Sequence, residues 1–261
     1  MTQSAPRIQT IGLYSFPKSG NTWLRAIVAA MVRIPRGPGL LQHYVTDTHY
    51  SGVRDHVWQY RGTDWYFYKS HVNALLDADQ DGPLHTDKVV YIYRHPLDVF
   101  LSYLNFVSGN VSTQAGNAFP IQFESVETMT SDQMEDAFAI FLKHLTLFPR
   151  NAAFGGMFDH IDAFRTLQAS GAPVLILRYE DLQDAFEESI AQLAEFLDIG
   201  YVDLCHVWQA ADDRTKKNGK FFWKRRKENY RSFLTDTQIA RFMTEHGTKM
   251  AELGYTSGTE N

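Results

Sequence analysis

The stretch Tyr14-Ser15-Phe16-Pro17-Lys18-Ser19-Gly20-Asn21-Thr22-Trp23-Leu24-Arg25 constrains what this chain can fold into more than any other. Ile8 to Tyr14 is an apolar run with β-branched residues, which predicts a strand. Pro17, Ser19 and Gly20 make a turn, and from Asn21 the apolar residues Leu24, Ile27, Val28 and Met31 recur at helical spacing until Pro35 forbids continuation. A helix opening there aims unpaired backbone N–H groups and the positive end of its dipole at the turn. Lys18, Ser19, Asn21 and Thr22 add side-chain donors, so the natural occupant is an anion, most simply a phosphate. The pattern is not G-x-x-x-x-G-K-[ST], because Pro17 precedes Lys18 and the glycine follows two residues later.

The rest of the chain repeats the strand-then-turn plan. Arg36 to Asp64 has no clear period and reads as a long loop with one short helix, its aromatics Tyr44, Tyr50, Trp58, Tyr60 and Trp65 either lining an acceptor pocket or packing as a satellite core. Trp65 to Tyr68 is a short strand that delivers Lys69-Ser70-His71 to a loop edge. Lys88 to Tyr93 is a near-continuous apolar run, as in a parallel strand buried on both faces, and Pro96 suits the first position of the following helix. Arg94 therefore stands at the carboxyl end of a strand, where open α/β sheets bind ligands, with Ser102 about two turns into the helix. Thr130 and Gln133 form a capping box, Phe154 to Ile161 opens another helix in which His160 reads as structural, and Val174 to Leu177 is a strand ending at Arg178-Tyr179-Glu180-Asp181. A helix follows with Phe186, Ile190, Leu193 and Leu197 on one face, and a final helix runs from about Thr235 to Leu253.

With 261 residues, 44% hydrophobic and 21% charged, the chain suits one α/β domain with a substantial core and the composition of a soluble globular protein. A net charge of −5 argues against a nucleic-acid partner, and no run approaches a membrane span or a signal-peptide core, so neither a membrane nor export is expected. Cys205 is alone, which leaves no disulfide framework and no thiolate metal cluster; a reducing cytoplasm is the simplest compartment. Positive charge is concentrated late: nine of the 25 basic residues, Arg214, Lys216, Lys217, Lys220, Lys224, Arg225, Arg226, Lys227 and Arg231, face one acid, Glu228, in that stretch.

Several segments carry a family likeness. Ser15 to Trp23 resembles, at every position, the 5′-phosphosulfate loop of sulfotransferases that use 3′-phosphoadenosine 5′-phosphosulfate (PAPS), written [TS]-[YF]-P-K-[SA]-G-[TN]-T-W. Lys69-Ser70-His71 resembles their K-[TS]-H, and Arg94, Pro96, Asp98 and Ser102 resemble their 3′-phosphate motif. Arg178-Tyr179-Glu180-Asp181 is similar to the segment whose Tyr contacts adenine, with Trp23 as a second flat partner. Trp223 to Arg231 keeps Lys224, Asn229 and Arg231 of the segment R-K-G-x-x-G-[DN]-W-[KR], has Tyr230 for its Trp, and lacks both glycines, with Arg225 in place of the first.

The resemblance, which runs from Ser15 to Tyr255, implies a P-loop-like α/β fold with a central parallel sheet flanked by helices, and a sulfuryl transfer from PAPS to a hydroxyl of a small organic acceptor. It implies His71, Lys18, Lys69 and Ser102 as the catalytic set, His71 as the base and Lys18 as the cation at the leaving oxygens. The nucleotide would be held by Pro17, Lys18, Ser19, Gly20, Asn21, Thr22, Trp23, Arg94, Ser102, Tyr179, Lys224, Arg225 and Arg226. No metal is required by such a scheme. A nucleoside or small-molecule kinase, or a non-catalytic nucleotide-binding protein, stays open, as does oligomeric state, a homo-oligomer included.

Overall fold

The computed structural model of the chain describes residues 8–48, 56–75, 85–109, 121–146, 154–215 and 226–255. Two compact units emerge, Met1–Arg94 with Asp159–Phe222, and His95–Phe158 with Trp223–Asn261.

The first unit contains the sheet. Strands β1 (Gln9–Tyr14), β2 (Val45–Asp47), β4 (Thr63–Ser70), β5 (Lys88–Tyr93) and β6 (Val174–Arg178) run parallel in the order β2-β4-β1-β5-β6, and β3 (Trp58–Tyr60) adds to β4 antiparallel. β1 is central because it is buried along almost its whole length and pairs on both sides, Tyr14 lying opposite Ser70 of β4 and Tyr91 of β5. Parallel pairing puts the carboxyl ends of β1, β4, β5 and β6 at one edge, so the residues after each of them, Ser15, His71, Arg94 and Tyr179, gather there.

Helix α1 (Asn21–Met31) follows β1 directly and is apolar nearly all round: Leu24, Ala26, Ile27, Val28 and Ala29 are wholly buried. α2 (Leu40–Tyr44) leads into β2, so the segment read as a long loop holds a helix and two short strands. Its aromatics pack on the core. Trp65 is part of the hydrophobic cluster, Tyr44, Trp58 and Tyr60 lie against it, and the Trp58 indole N–H donates to the Val32 carbonyl at 2.7 Å. Of the two roles open to them, core packing is therefore the one realised for these four; Tyr50 lies outside the described residues.

α5 (Met157–Ala169) precedes β6, and the helical stretch after β6 is two pieces, α6 (Tyr179–Asp184) and α7 (Phe186–Phe196), broken at Ala185. α8 (Leu204–Thr215), packed on α1, is an element that sequence inspection did not separate from the basic stretch beyond it.

In the second unit α3 (Pro96–Val107), α4 (Ser131–His144) and α9 (Asp236–Glu252) share an aromatic contact set in which Phe100 meets Phe138 and Phe141, and Phe141 meets Phe242. The expected capping box forms at Thr130 and Gln133, and a second one forms at Thr235 and Gln238.

Candidate active site

The turn between β1 and α1 begins as expected from its residues and then spends some of them differently. Gly20 caps α1 with φ 104°, and a Cβ there would meet the Tyr179 ring at 2.5 Å, so only glycine fits both the backbone and the space. No side chain caps α1, which leaves its first N–H groups for an anion. Lys18 adopts φ 70°, a conformation that costs a non-glycine residue about 1 kcal/mol or more. The Asn21 amide is used inside the loop, donating to the Leu13 carbonyl at 3.0 Å and to the Ser15 hydroxyl at 3.2 Å. Asn21 therefore braces the turn, its side-chain amide donating within the loop. Pro17 and Ser19 are buried, while Thr22 and Trp23 are partly exposed on the first turn of α1.

His71 follows β4 and its ring is fixed by the same turn. Nδ1 lies 2.7 Å from the Ser15 carbonyl oxygen and 3.3 Å from the Ser15 hydroxyl. A carbonyl can only accept, so Nδ1 carries the proton and, in the neutral ring, the lone pair is on Nε2. That is the tautomer a general base requires.

Charge at this edge is positive. Burial first, then the nearby charges of Lys69 and Arg94, bring the Lys18 ammonium down to about 7. Lys69 is buried and donates to Asp47 Oδ2 at 2.8 Å; burial still outweighs that carboxylate and holds the ammonium at about 8. Arg25 lies 4.0 Å from the same carboxylate. Lys69 thus acts on Lys18 through its field, and its hydrogen bond goes to Asp47. The Arg94 guanidinium lies 4.5 Å over the Tyr179 ring, whose edge meets Trp23 at 5.5 Å. Trp23 also stacks near Phe186, with Trp208 edge-on to both.

These features fit a nucleotide with an anionic 5′ end. The Ser19 hydroxyl is wholly buried and has no hydrogen-bond partner among the described residues, and the three neighbouring cations repel one another until an anion is present. Among the described residues no group of three or more His, Cys, Asp or Glu side chains is placed to hold a metal ion, and no helix is long and apolar enough to cross a membrane.

In the second unit Ser102 is partly exposed on α3. Asp98, one turn before it and 1% exposed, accepts from the backbone N–H of Glu228 at 2.8 Å and of Tyr230 at 3.2 Å. The carboxylate therefore holds residues 228–230 to α3. Tyr230, which stands where the family has Trp, stacks on His95 with ring centroids 4.5 Å apart. Asp98→Ala should destabilise the protein by about 2 kcal/mol, the cost of stranding the buried Tyr230 N–H and losing the charged acceptor of the part-buried Glu228 N–H, and Asp98→Asn by less. Urea unfolding measures this, and an unchanged midpoint in Asp98→Ala would show that the tether carries no weight.

Lys224 and Arg225 lie outside the described residues; Arg226 is exposed, its carbonyl accepting from the Asn229 amide at 2.8 Å. Two members of the basic cluster have other partners. Arg214 donates to the carbonyls of Ala26, Ile34 and Pro35, closing the end of α1, and Arg231 pairs with Glu228 at 3.3 Å. The role of Asp98 was not readable although its motif was; Asp47 lay in the segment read as loop.

A parallel α/β sheet with an uncapped helix N-terminus and buried cations after its central strand, and a histidine at the adjacent strand end, forms a site suited to an anion. Comparison with known proteins narrows this: the family model for the sulfotransferase domain matches residues 9–254, through both compact units, and the chain belongs to the sulfotransferase family. Cytosolic sulfotransferase 16 of Arabidopsis thaliana is 26% identical over 203 residues, which is 72% of this chain and 53% of that protein. Cytosolic sulfotransferase 6 of the same plant is 24% identical over 88% of this chain and 75% of that protein. The matched part spans about half the length of the first of these relatives. Among solved structures, mouse sulfotransferase SULT7A1 complexed with PAP superposes with a TM-score of 0.63 at 19% identity, covering 94% of this chain and 86% of that one. Retinol dehydratase in complex with retinol and PAP gives 0.62 at 14% identity, covering 97% and 83%.

Proposed function

We propose that this protein transfers the sulfuryl group of PAPS to a hydroxyl of a small organic acceptor. The observation that carries the reading is the bond from His71 Nδ1–H to the Ser15 carbonyl, which sets the Nε2 lone pair of a base at the strand end next to the phosphate turn. The family membership and the two PAP-bound fold relatives support the choice of nucleotide.

PAPS supplies the sulfuryl group and a phosphate leaving group. The α1 N-terminus, the Ser19 hydroxyl and Lys18 hold the 5′ end, and the partly exposed Trp23, braced edge-to-face by Tyr179, lies beside them for the adenine. Arg94 and Ser102 are assigned the 3′-phosphate by the motif they share with the family, with Lys224 matching the family's basic segment and Arg225 and Arg226 adding charge beside it. His71 takes the acceptor hydroxyl proton at Nε2 as the oxygen is committed to sulfur. Lys18 balances the charge that develops on the departing oxygens, and its ammonium, held low by burial and by two neighbouring cations, regains its full charge when anions arrive.

The nucleotide class is tested by calorimetric titration with 3′,5′-phosphoadenosine (PAP), adenosine 5′-phosphate and ATP with magnesium. PAP should bind at least about tenfold more tightly than adenosine 5′-phosphate, the value of about one additional charge-assisted contact. Equal affinities would sink the 3′-phosphate assignment, and preference for magnesium–ATP would favour a kinase. Labelled PAPS with a panel of phenols, steroids and glycosides then identifies acceptors.

A further inference from the structure

His160 lies on α5, wholly buried, and is part of neither the phosphate turn nor the base. Its two ring nitrogens are both engaged. Nε2 is 3.0 Å from the backbone carbonyl oxygen of His71, so it donates, and Nδ1 is 3.0 Å from the Tyr91 hydroxyl. A neutral ring that donates from Nε2 must accept at Nδ1, so the Tyr91 O–H is the donor there. The Tyr91 oxygen in turn accepts the backbone N–H of Phe16, inside the phosphate turn. The result is one directed chain, Phe16 N–H to Tyr91 to His160 to the His71 carbonyl, joining the turn after β1 to the residue after β4 through side chains of β5 and α5.

We propose that His160 is a positioning residue that locks the base to the phosphate turn. His71 is held at two points, and both lead back to adjacent residues of that turn: its ring to the Ser15 carbonyl, and its backbone carbonyl through His160 and Tyr91 to Phe16. Two anchors fix the ring where one alone leaves the peptide free to rotate, and the lock keeps Nε2 at a constant distance from the group seated in the turn. The wall around His160 is aromatic, with Phe16 edge-on at 5.7 Å and Phe164 stacked at 5.5 Å. Burial in that wall holds the imidazole down at about 4, so the donor–acceptor order of the chain stays fixed at working pH.

The inference rests on the reading of His71 as base, and its test has a readout independent of turnover. Nitrogen-15 spectra of histidine-labelled protein, with the His71 signals identified by their loss in His71→Gln, report which ring nitrogen carries the proton. In the wild-type protein and in His160→Gln, whose amide reaches the same carbonyl, His71 should hold its proton on Nδ1. In His160→Leu, and to a lesser degree in Tyr91→Phe, the Nδ1 bond to Ser15 should loosen and a mixture of tautomers appear. Turnover of His160→Leu should fall roughly tenfold to 10²-fold, the range expected for a misplaced catalytic group, with PAP affinity within about threefold of wild type and most of the turnover restored in His160→Gln. An unchanged His71 tautomer in His160→Leu and Tyr91→Phe would overturn the proposal. If the wild-type protein proves to transfer no sulfuryl group, the reading of the reaction fails, and the spectra still decide the link between His160 and His71.

Discussion

Turnover of labelled PAPS should fall about 10²-fold to 10⁴-fold when His71 is replaced by alanine, the span that one general base contributes. The large loss follows from the tautomer. Nδ1 is committed to the Ser15 carbonyl, so Nε2 is where the ring can accept a proton, and alanine leaves nothing in its place that can do so. Nucleotide binding should survive, because the groups assigned to the phosphate are the α1 N-terminus, Ser19 and Lys18, and the turn itself is braced by Asn21 on Leu13 and Ser15. The pair of measurements, transfer rate and PAP affinity, separates a lost base from a disordered turn. Near-normal transfer in the variant would place the base elsewhere, whereas a parallel collapse of PAP binding would mean that the His71 ring is needed to hold Ser15.

The fold was legible wherever one chemical period dominated. Lys88 to Tyr93 reads as a two-sided buried strand and is one, because apolar residues on both faces leave a parallel sheet as the economical solution. The turn at 15–20 was legible because its residues are there for backbone reasons, Gly20 above all. The segment from Arg36 to Asp64 was not. Its strands are three residues each, too short to show an alternation, and they exist because β4 offers them an edge. Roles of single side chains followed the same division. Lys18 and His71 stand out by pattern, since few residue types suit the chemistry proposed for them, but whether a polar group turns toward a ligand or back toward the chain depends on partners far away in sequence. Asn21, Lys69, Asp98 and Arg214 all have partners of that kind or brace their own turn. His160 shows the limit most plainly: in the sequence it reads as structural, while its bond to the His71 carbonyl, 89 positions away, is visible only in three dimensions.

Lys18→Ala should lower turnover by about 10²-fold or more, the scale of losing one preorganised electrostatic stabiliser, and the pH dependence of nucleotide binding should identify the residue responsible. In the free protein burial, Lys69 and Arg94 bring Lys18 to about 7, so above that pH its ammonium is increasingly neutral. Bound phosphates favour the charged form and raise it again, so binding above pH 7 must take up a proton. The sign is therefore fixed: PAP affinity falls as pH rises past about 7, approaching about tenfold per pH unit for one linked proton. Phosphate ionisation cannot produce this fall, since it is largely complete by that pH and acts in the opposite direction. Lys18→Met keeps the bulk of the stem and removes the titration at about 7, so its PAP affinity should be lower at pH 7 and fall more shallowly above it, through Lys69 alone, which is half titrated at about 8. Calorimetry in buffers of different ionisation enthalpy counts the proton directly. An affinity that stays constant from pH 6.5 to 8.5 in the wild-type protein, or a proton uptake that persists unchanged in Lys18→Met, would remove Lys18 from the anion site and leave the positive edge of the sheet to Lys69 and Arg94.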